Sequence, residues 1–187
     1  MKRILLTLAV LAALPVATAS AGELSYSYVE GGYLNTQSDL DADGVAVNGS
    51  VAISDSFHLF GGWNTQELDG VDVDADVWHF GVGFNHSLST NTDLVARVAY
   101  QEIDVDAFGF SAGSNDGYFT EVGVRSALTD NLEGHVFAGY EDFEGVDGEF
   151  YARIGGQYKF NQAWGVVADV KLIDGDEQYF VGPRFSF

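Results

Sequence analysis

The residues closest to a recognisable chemical motif are Asp39-Leu40-Asp41-Ala42-Asp43-Gly44, which open like a calcium loop, D-x-D-x-D-G. An EF-hand completes its coordination with a bidentate Glu at the twelfth position, between two helices; that position is Ser50 and neither flank carries a helical stripe. An EF-hand is therefore excluded. What remains is a set of carboxylates, Asp39, Asp41 and Asp43 with Asp72, Asp74 and Asp76 of a second acidic stretch, whose oxygens suit adventitious calcium or magnesium but otherwise stay solvated. Asp174, Asp176 and Glu177 form a third acidic cluster. Of the four histidines, only His79 lies near such a stretch, where Asp76 or Asp74 would be the orienter of a general base. No motif supplies a nucleophile, and with no cysteine there is neither a thiolate metal site nor a disulfide framework. The sequence thus assigns no catalytic residue, no cofactor and no resident metal, and an enzyme built on His79 is the alternative.

The elements that carry these residues are strands. Val45, Val47, Gly49, Val51 and Ile53 alternate with Ala46, Asn48, Ser50 and Ala52, and Trp78, Phe80, Val82 and Phe84 alternate with His79, Gly81, Gly83 and Asn85. Period-two patterning bounded by Asp, Asn, Gly and Ser clusters reads as β-strand. It predicts ten segments: 24–34, 44–53, 57–67, 76–86, 93–103, 117–128, 132–142, 149–160, 164–173 and 177–187. Short turns (54–56, 87–92, 129–131, 161–163) alternate with longer acidic loops (35–43, 68–75, 104–116, 143–148, 174–176). A weak repeat follows the short turns, with leading residues Phe57, Leu94, Leu132 and Trp164. The pattern is an antiparallel meander with both termini on the short-turn side.

Charge decides which face meets solvent. The chain has 28 acidic and 8 basic residues, net −20, which excludes a phosphate-binding basic face and hence nucleic acid. Every basic residue after Arg3 falls on the polar parity of its strand: Arg97, Arg125, Arg153, Lys159, Lys171 and Arg184. On the same parity lie Glu30, Glu121, Glu133, Glu141, Glu149 and Asp169. A soluble sheet would scatter lysines through its loops, and here none is in a loop. Six bases against six acids read instead as a paired network inside a narrow barrel, since desolvated charges persist only when paired. Aromatics support the inversion. Phe57, Phe84, Phe160, Trp164, Phe185 and Phe187 lie beside the short turns, and Trp63, Trp78, Tyr100, Tyr118, Tyr140, Phe150 and Tyr179 near the long loops. Their separation within a strand corresponds to about 15–25 Å along a membrane normal, as two girdles bracketing an apolar band require.

Residues 1–21 read as a cleaved secretory signal: Lys2 and Arg3, the apolar run Ile4 to Leu14, and the A-x-A site Ala19-Ser20-Ala21. Residues 22–187 are the barrel, with net charge −22 once Lys2 and Arg3 are removed. The last strand carries Gly182, Phe185 and the terminal Phe187 in the spacing Gly-x-x-apolar-x-aromatic, which resembles the C-terminal assembly signal of bacterial outer-membrane barrels; Phe180 departs from it where a polar residue is usual. With Tyr26-Ser27-Tyr28-Val29-Glu30-Gly31-Gly32-Tyr33, Asn48-Gly49-Ser50-Val51 and Phe60-Gly61-Gly62-Trp63, the chain resembles a small outer-membrane barrel family of xanthomonad type, of OmpA/OmpX-like architecture. Some members of that family are described as secreted signal or immunity-eliciting proteins. The expectation is an all-β, single up-and-down transmembrane barrel of ten strands, eight being the alternative closure. It would be located in the outer membrane, monomeric, with lipid, lipopolysaccharide and the barrel assembly machinery as partners. Its lumen would be largely plugged and its loops acidic, with a structural or surface-interaction role. A narrow channel on the same barrel and a soluble secreted protein are the other readings.

Overall fold

In the computed structural model, which describes residues 24–38 and 40–187, the alternating segments become ten antiparallel strands. They are β1 (Tyr28–Gln37), β2 (Ala42–Ala52), β3 (Phe57–Leu68), β4 (Val73–Ser89), β5 (Thr92–Ala107), β6 (Phe110–Ala127), β7 (Leu132–Phe143), β8 (Glu149–Lys159), β9 (Trp164–Ile173) and β10 (Asp176–Ser186). Each pairs with its sequence neighbours, and β1 pairs with β10, which closes the sheet into a barrel with ten strands rather than eight. The proposed signal at 1–21 lies outside the described residues.

Three of the four short turns share one mechanism. Ser54 Oγ, Thr129 Oγ1 and Asn161 Oδ1 accept from the amides of Phe57, Leu132 and Trp164 at 3.1, 3.0 and 2.9 Å, and these same residues lead the weak sequence repeat. A short polar side chain that bonds the backbone ahead of it makes a compact turn. At the other end the strands run further than expected. The segment 104–116, expected as a loop, is instead the continuation of β5 and β6, joined by Phe108 and Gly109 at φ 53° and 76°. The segment 174–176 is likewise a two-residue turn, Asp174 and Gly175 at φ 44° and 93°. Two successive positive φ values give the hairpin turn whose twist matches that of the flanking strands. The register of β5 against β6 slips by one residue between Val105 and Asp106, a bulge that admits the Asp-, Gly- and Ser-rich sequence into the ladder. β1 begins at Tyr28, not residue 24.

Side chains alternate across the barrel wall. Val45, Leu59, Trp63, Phe80, Val98, Val122, Ile154 and Trp164 are exposed on the outside, whereas Glu30, Glu121, Arg125, Glu133 and Arg184 are buried inside. Some of the buried apolar residues form two groups within the lumen: Leu34, Ala46, Val167 and Phe180, and Tyr26, Val95 and Phe137. Phe180, the departure from the terminal motif, therefore fills the interior against β1, β2 and β9. This distribution, apolar outward and charged inward, is the inverse of a soluble barrel and suits lipid as the surrounding solvent.

Candidate functional site

The lumen holds the chemistry. At the short-turn end, Glu133 of β7 accepts from Arg125 Nη2 and Nε at 2.5 and 3.1 Å and from Lys159 Nζ at 2.9 Å. Arg125 also lies over the ring of Tyr26, whose hydroxyl donates to Asp93 at 2.9 Å. Tyr26 stacks on His58 at 4.8 Å between centroids, and His58, Val95 and Val167 have no exposed surface.

Halfway along, Glu121 of β6 is the hub. It accepts from Arg97 Nη1 at 3.2 Å, Arg153 Nη2 at 2.6 Å and the Tyr151 hydroxyl at 3.2 Å. Arg153 also reaches Asp169 at 3.3 Å, which bonds His135 Nε2 at 2.6 Å, and both arginines lie against the ring of Phe137. On the opposite wall Arg184 pairs with Glu30 at 2.5 Å and lies 4.1 Å over Tyr28. Nearer the hairpin end Lys171 pairs with Glu141 at 2.5 Å and sits over Tyr151. The structure thus brings eleven of the twelve proposed lumen charges into ion pairs, including all six bases.

Glu149 is the exception. It stands at the rim beyond the girdle residue Phe150, opposite Glu141, and no ion pair reaches it among the described residues. Desolvation first, then the negative charges of Asp174, Glu141 and Asp176, push its carboxyl above the ordinary glutamate range.

The structure separates the other candidates. His79 packs between Phe60 and Phe119 in the lumen, while Asp74 and Asp76 are on the opposite parity, facing outward beside Asp106 and Asp104 of β5. No base–orienter pair forms there. Asp41 caps the β1–β2 hairpin by accepting from the Ser38 amide, Asp43 sits on the outer face of β2, Asp72 lies in the β3–β4 turn, and Asp39 falls outside the described residues. Among the described residues no three His, Asp or Glu side chains are grouped to hold a metal ion. The terminal signal residues have distinct environments. Phe185 packs at a tilt against Trp164 at 5.0 Å and stacks on Phe187 at 6.2 Å, and the Phe187 amide donates to Ser27 O. Gly182 faces Gly32 so closely that a Cβ would meet Gly31 O at 2.2 Å.

Above the hub, a cavity of about 410 Å³ occupies the hairpin half of the lumen. Its lining includes Thr36, Asn48, Asn64, Gln66, Gln101 and Gln178, none of which the sequence pointed to as a site residue. The available signal was their parity: each shares the lumen face of its strand, and together they add neutral amides and a hydroxyl to a lining that also holds the paired charges of the hub and of Lys171 and Glu141.

No family model and no curated protein sequence matches the chain. Solved structures do. The translocator domain of autotransporter NalP from Neisseria meningitidis aligns over 88% of this chain and 89% of its own, with TM-score 0.50 and 10% identity. The outer membrane protein OprG from Pseudomonas aeruginosa aligns over 90% of this chain and 99% of its own, with TM-score 0.49 and 10% identity. Neisserial surface protein A covers 87% and 98%, with TM-score 0.44 and 16% identity. The likeness is one of fold: a closed antiparallel barrel.

Proposed function

We propose that this chain is a non-catalytic barrel of the bacterial outer membrane, with the lumen closed toward the short turns and the acidic hairpins facing outward from the cell, in a structural or surface-interaction role. One observation carries the closure: fully buried His58, Val95 and Val167 lie at the same end as the Arg125–Glu133–Lys159 cluster, so side chains rather than a water path occupy that cross-section. Membrane residence is supported by the exposed apolar band and by outward aromatics at two levels, Phe57, Phe84, Phe160 and Trp164 below, Trp63, Tyr118 and Phe150 above. Its partners in this reading are membrane lipid and lipopolysaccharide, with the assembly machinery acting on the strand that ends at Phe187. The closed sheet leaves no free edge to drive oligomerisation, in keeping with a monomer. The terminal residues and the Tyr26–Tyr33 segment support a place in the xanthomonad-type family.

Conductance of the refolded protein in planar bilayers tests the closure. Absence of steps is expected, and discrete reproducible steps would establish the narrow-channel reading, which the 410 Å³ cavity favours. Cell fractionation with unboiled gels tests residence: the protein is expected in the membrane fraction with heat-modifiable migration, and a detergent-free soluble protein would leave the secreted reading in its place.

A further inference from the structure

The cavity above the hub plays no part in closing the lumen, and its walls are chemically unlike one another. We propose that it is a binding site for a small uncharged saccharide. This goes beyond the structural role, and it rests on the outer-membrane reading only for access from the hairpin side.

The charge state of the ligand follows from the ion pairs. Arg97, Arg153 and Lys171 are each engaged by Glu121, Asp169 or Glu141, and Glu30 by Arg184. Among the described lining residues an anionic ligand finds no free cation and a cationic one no free carboxylate; either would have to break a buried pair. A neutral ligand breaks nothing.

Its polarity follows from the amides. On one wall Gln66 Nε2 donates to Thr36 Oγ1 at 2.8 Å, and Gln178 Nε2 reaches Gln66 Oε1 at 3.4 Å, a cluster that can both give and accept hydrogen bonds to hydroxyls. On another wall Gln101 is only 5% exposed and lines the cavity, yet its Nε2 is buried without a hydrogen-bond partner. A buried donor left unmade costs about 1–3 kcal/mol, so a ligand oxygen placed there recovers an otherwise lost interaction.

Its apolar side follows from Phe60 and Phe119, whose rings lie 6.0 Å apart beside His79 and line the same cavity. Aromatic faces opposite a few placed amides match a pyranose, which offers C–H groups on one face and hydroxyls around its edge. The volume of about 410 Å³ falls within the usual range of roughly 300–1,000 Å³ for small-molecule sites.

The test is a calorimetric and NMR titration of the refolded full barrel in detergent micelles with glucose and maltose, against glucuronate and glucosamine as charged analogues. Saturable binding of a neutral sugar, with amide shifts concentrated in β1, β3, β5, β6 and β10 and both charged analogues at least about tenfold weaker, is expected. Gln101→Leu should lose about tenfold in affinity. Its unfolding midpoint should be unchanged or raised, because the unpartnered amide is gone. The proposal is overturned by the absence of saturable binding for either neutral sugar, by equal binding of glucuronate or glucosamine, or by a Gln101→Leu barrel that keeps its affinity. A lowered midpoint in that variant would also overturn it, by making Gln101 a structural group satisfied by water. Conductance steps bear on the closed lumen alone, so failure of that reading and failure of this one are distinguishable.

Discussion

Glu121 is where the lumen network is most exposed to a single change. Its side chain is 3% exposed and receives Arg97 at 3.2 Å and Arg153 at 2.6 Å, whose side chains are 10% and 24% exposed. Glu121→Gln keeps the shape but removes the charge. Arg97 is then left without a carboxylate, while Arg153 retains Asp169 at 3.3 Å. Removing one partner of a buried pair costs about 3–5 kcal/mol. The retained Asp169 contact and the partial exposure of Arg153 place the expected loss near the lower end, about 3 kcal/mol, roughly a hundredfold in the unfolding equilibrium. The assay is urea unfolding of the barrel refolded in phospholipid vesicles, followed by tryptophan fluorescence, since Trp63 and Trp164 lie on the outer face and away from the substitution. Removing the orphaned cation as well, in Glu121→Gln with Arg97→Met, should recover most of the loss, to within about 1 kcal/mol of the parent. A single-variant loss below about 1 kcal/mol would refute the reasoning, because it would mean that lumen water screens these charges as it screens surface pairs.

Val122, 52% exposed between the girdle residue Tyr118 and the short-turn end of β6, should tolerate Arg poorly in vesicles. The expected cost is about 2–4 kcal/mol by the same urea assay, against no measurable change for Val71→Arg in the β3–β4 turn. Gly182→Ala places a methyl against Gly31 O at 2.2 Å, across the pairing that closes the barrel. Backbone cannot move aside as a side chain can, so the cost should reach or exceed the upper end of the usual 1–3 kcal/mol for overpacking. It should be read as a lower fraction of heat-modifiable protein after refolding.

Much of this architecture is written in the alternation. Because side chains change face at every residue, the parity of Arg97, Arg125 and Arg184 fixes which neighbours share the lumen with them. Glu30 is informative here: placing it inward required Tyr26 and Tyr28 to point inward too, and both do, beneath Arg125 and Arg184. The hairpin end was less legible. The Asp-, Gly- and Ser-rich stretch after Ile103 has poor strand propensity, and only its pairing across a tight positive-φ turn and a bulge extends the ladder through it. Parity also says nothing of occupancy. Fully buried His58, Val95 and Val167 lie toward the short turns, whereas the cavity above the hub is lined by amides together with paired charges such as Lys171 and Glu141. That difference depends on which strands closure sets opposite one another, β1, β3 and β10 against β5 and β6.

The distribution of carboxylates follows the dielectric in the same way. Along one cross-strand row on the outer face, Asp43, Glu67, Asp74 and Asp106 stand beside one another on β2 to β5, and Asp76 faces Asp104 in the next. Like charges directly opposite are destabilising. These rows lie beyond the aromatic level marked by Trp63, Trp78 and Tyr100, where water and salt reduce the repulsion over a Debye length of about 8–10 Å. Inside the barrel, each base among the described residues is paired. Carboxylates without an ion pair are met in two ways: the outer rows stand toward the hairpin rim, and buried Asp93 accepts from the Tyr26 and Ser87 hydroxyls at 2.9 Å. A net charge of −20 is compatible with a stable barrel because much of the excess stands in rows toward the hairpin rim, apart from the paired lumen.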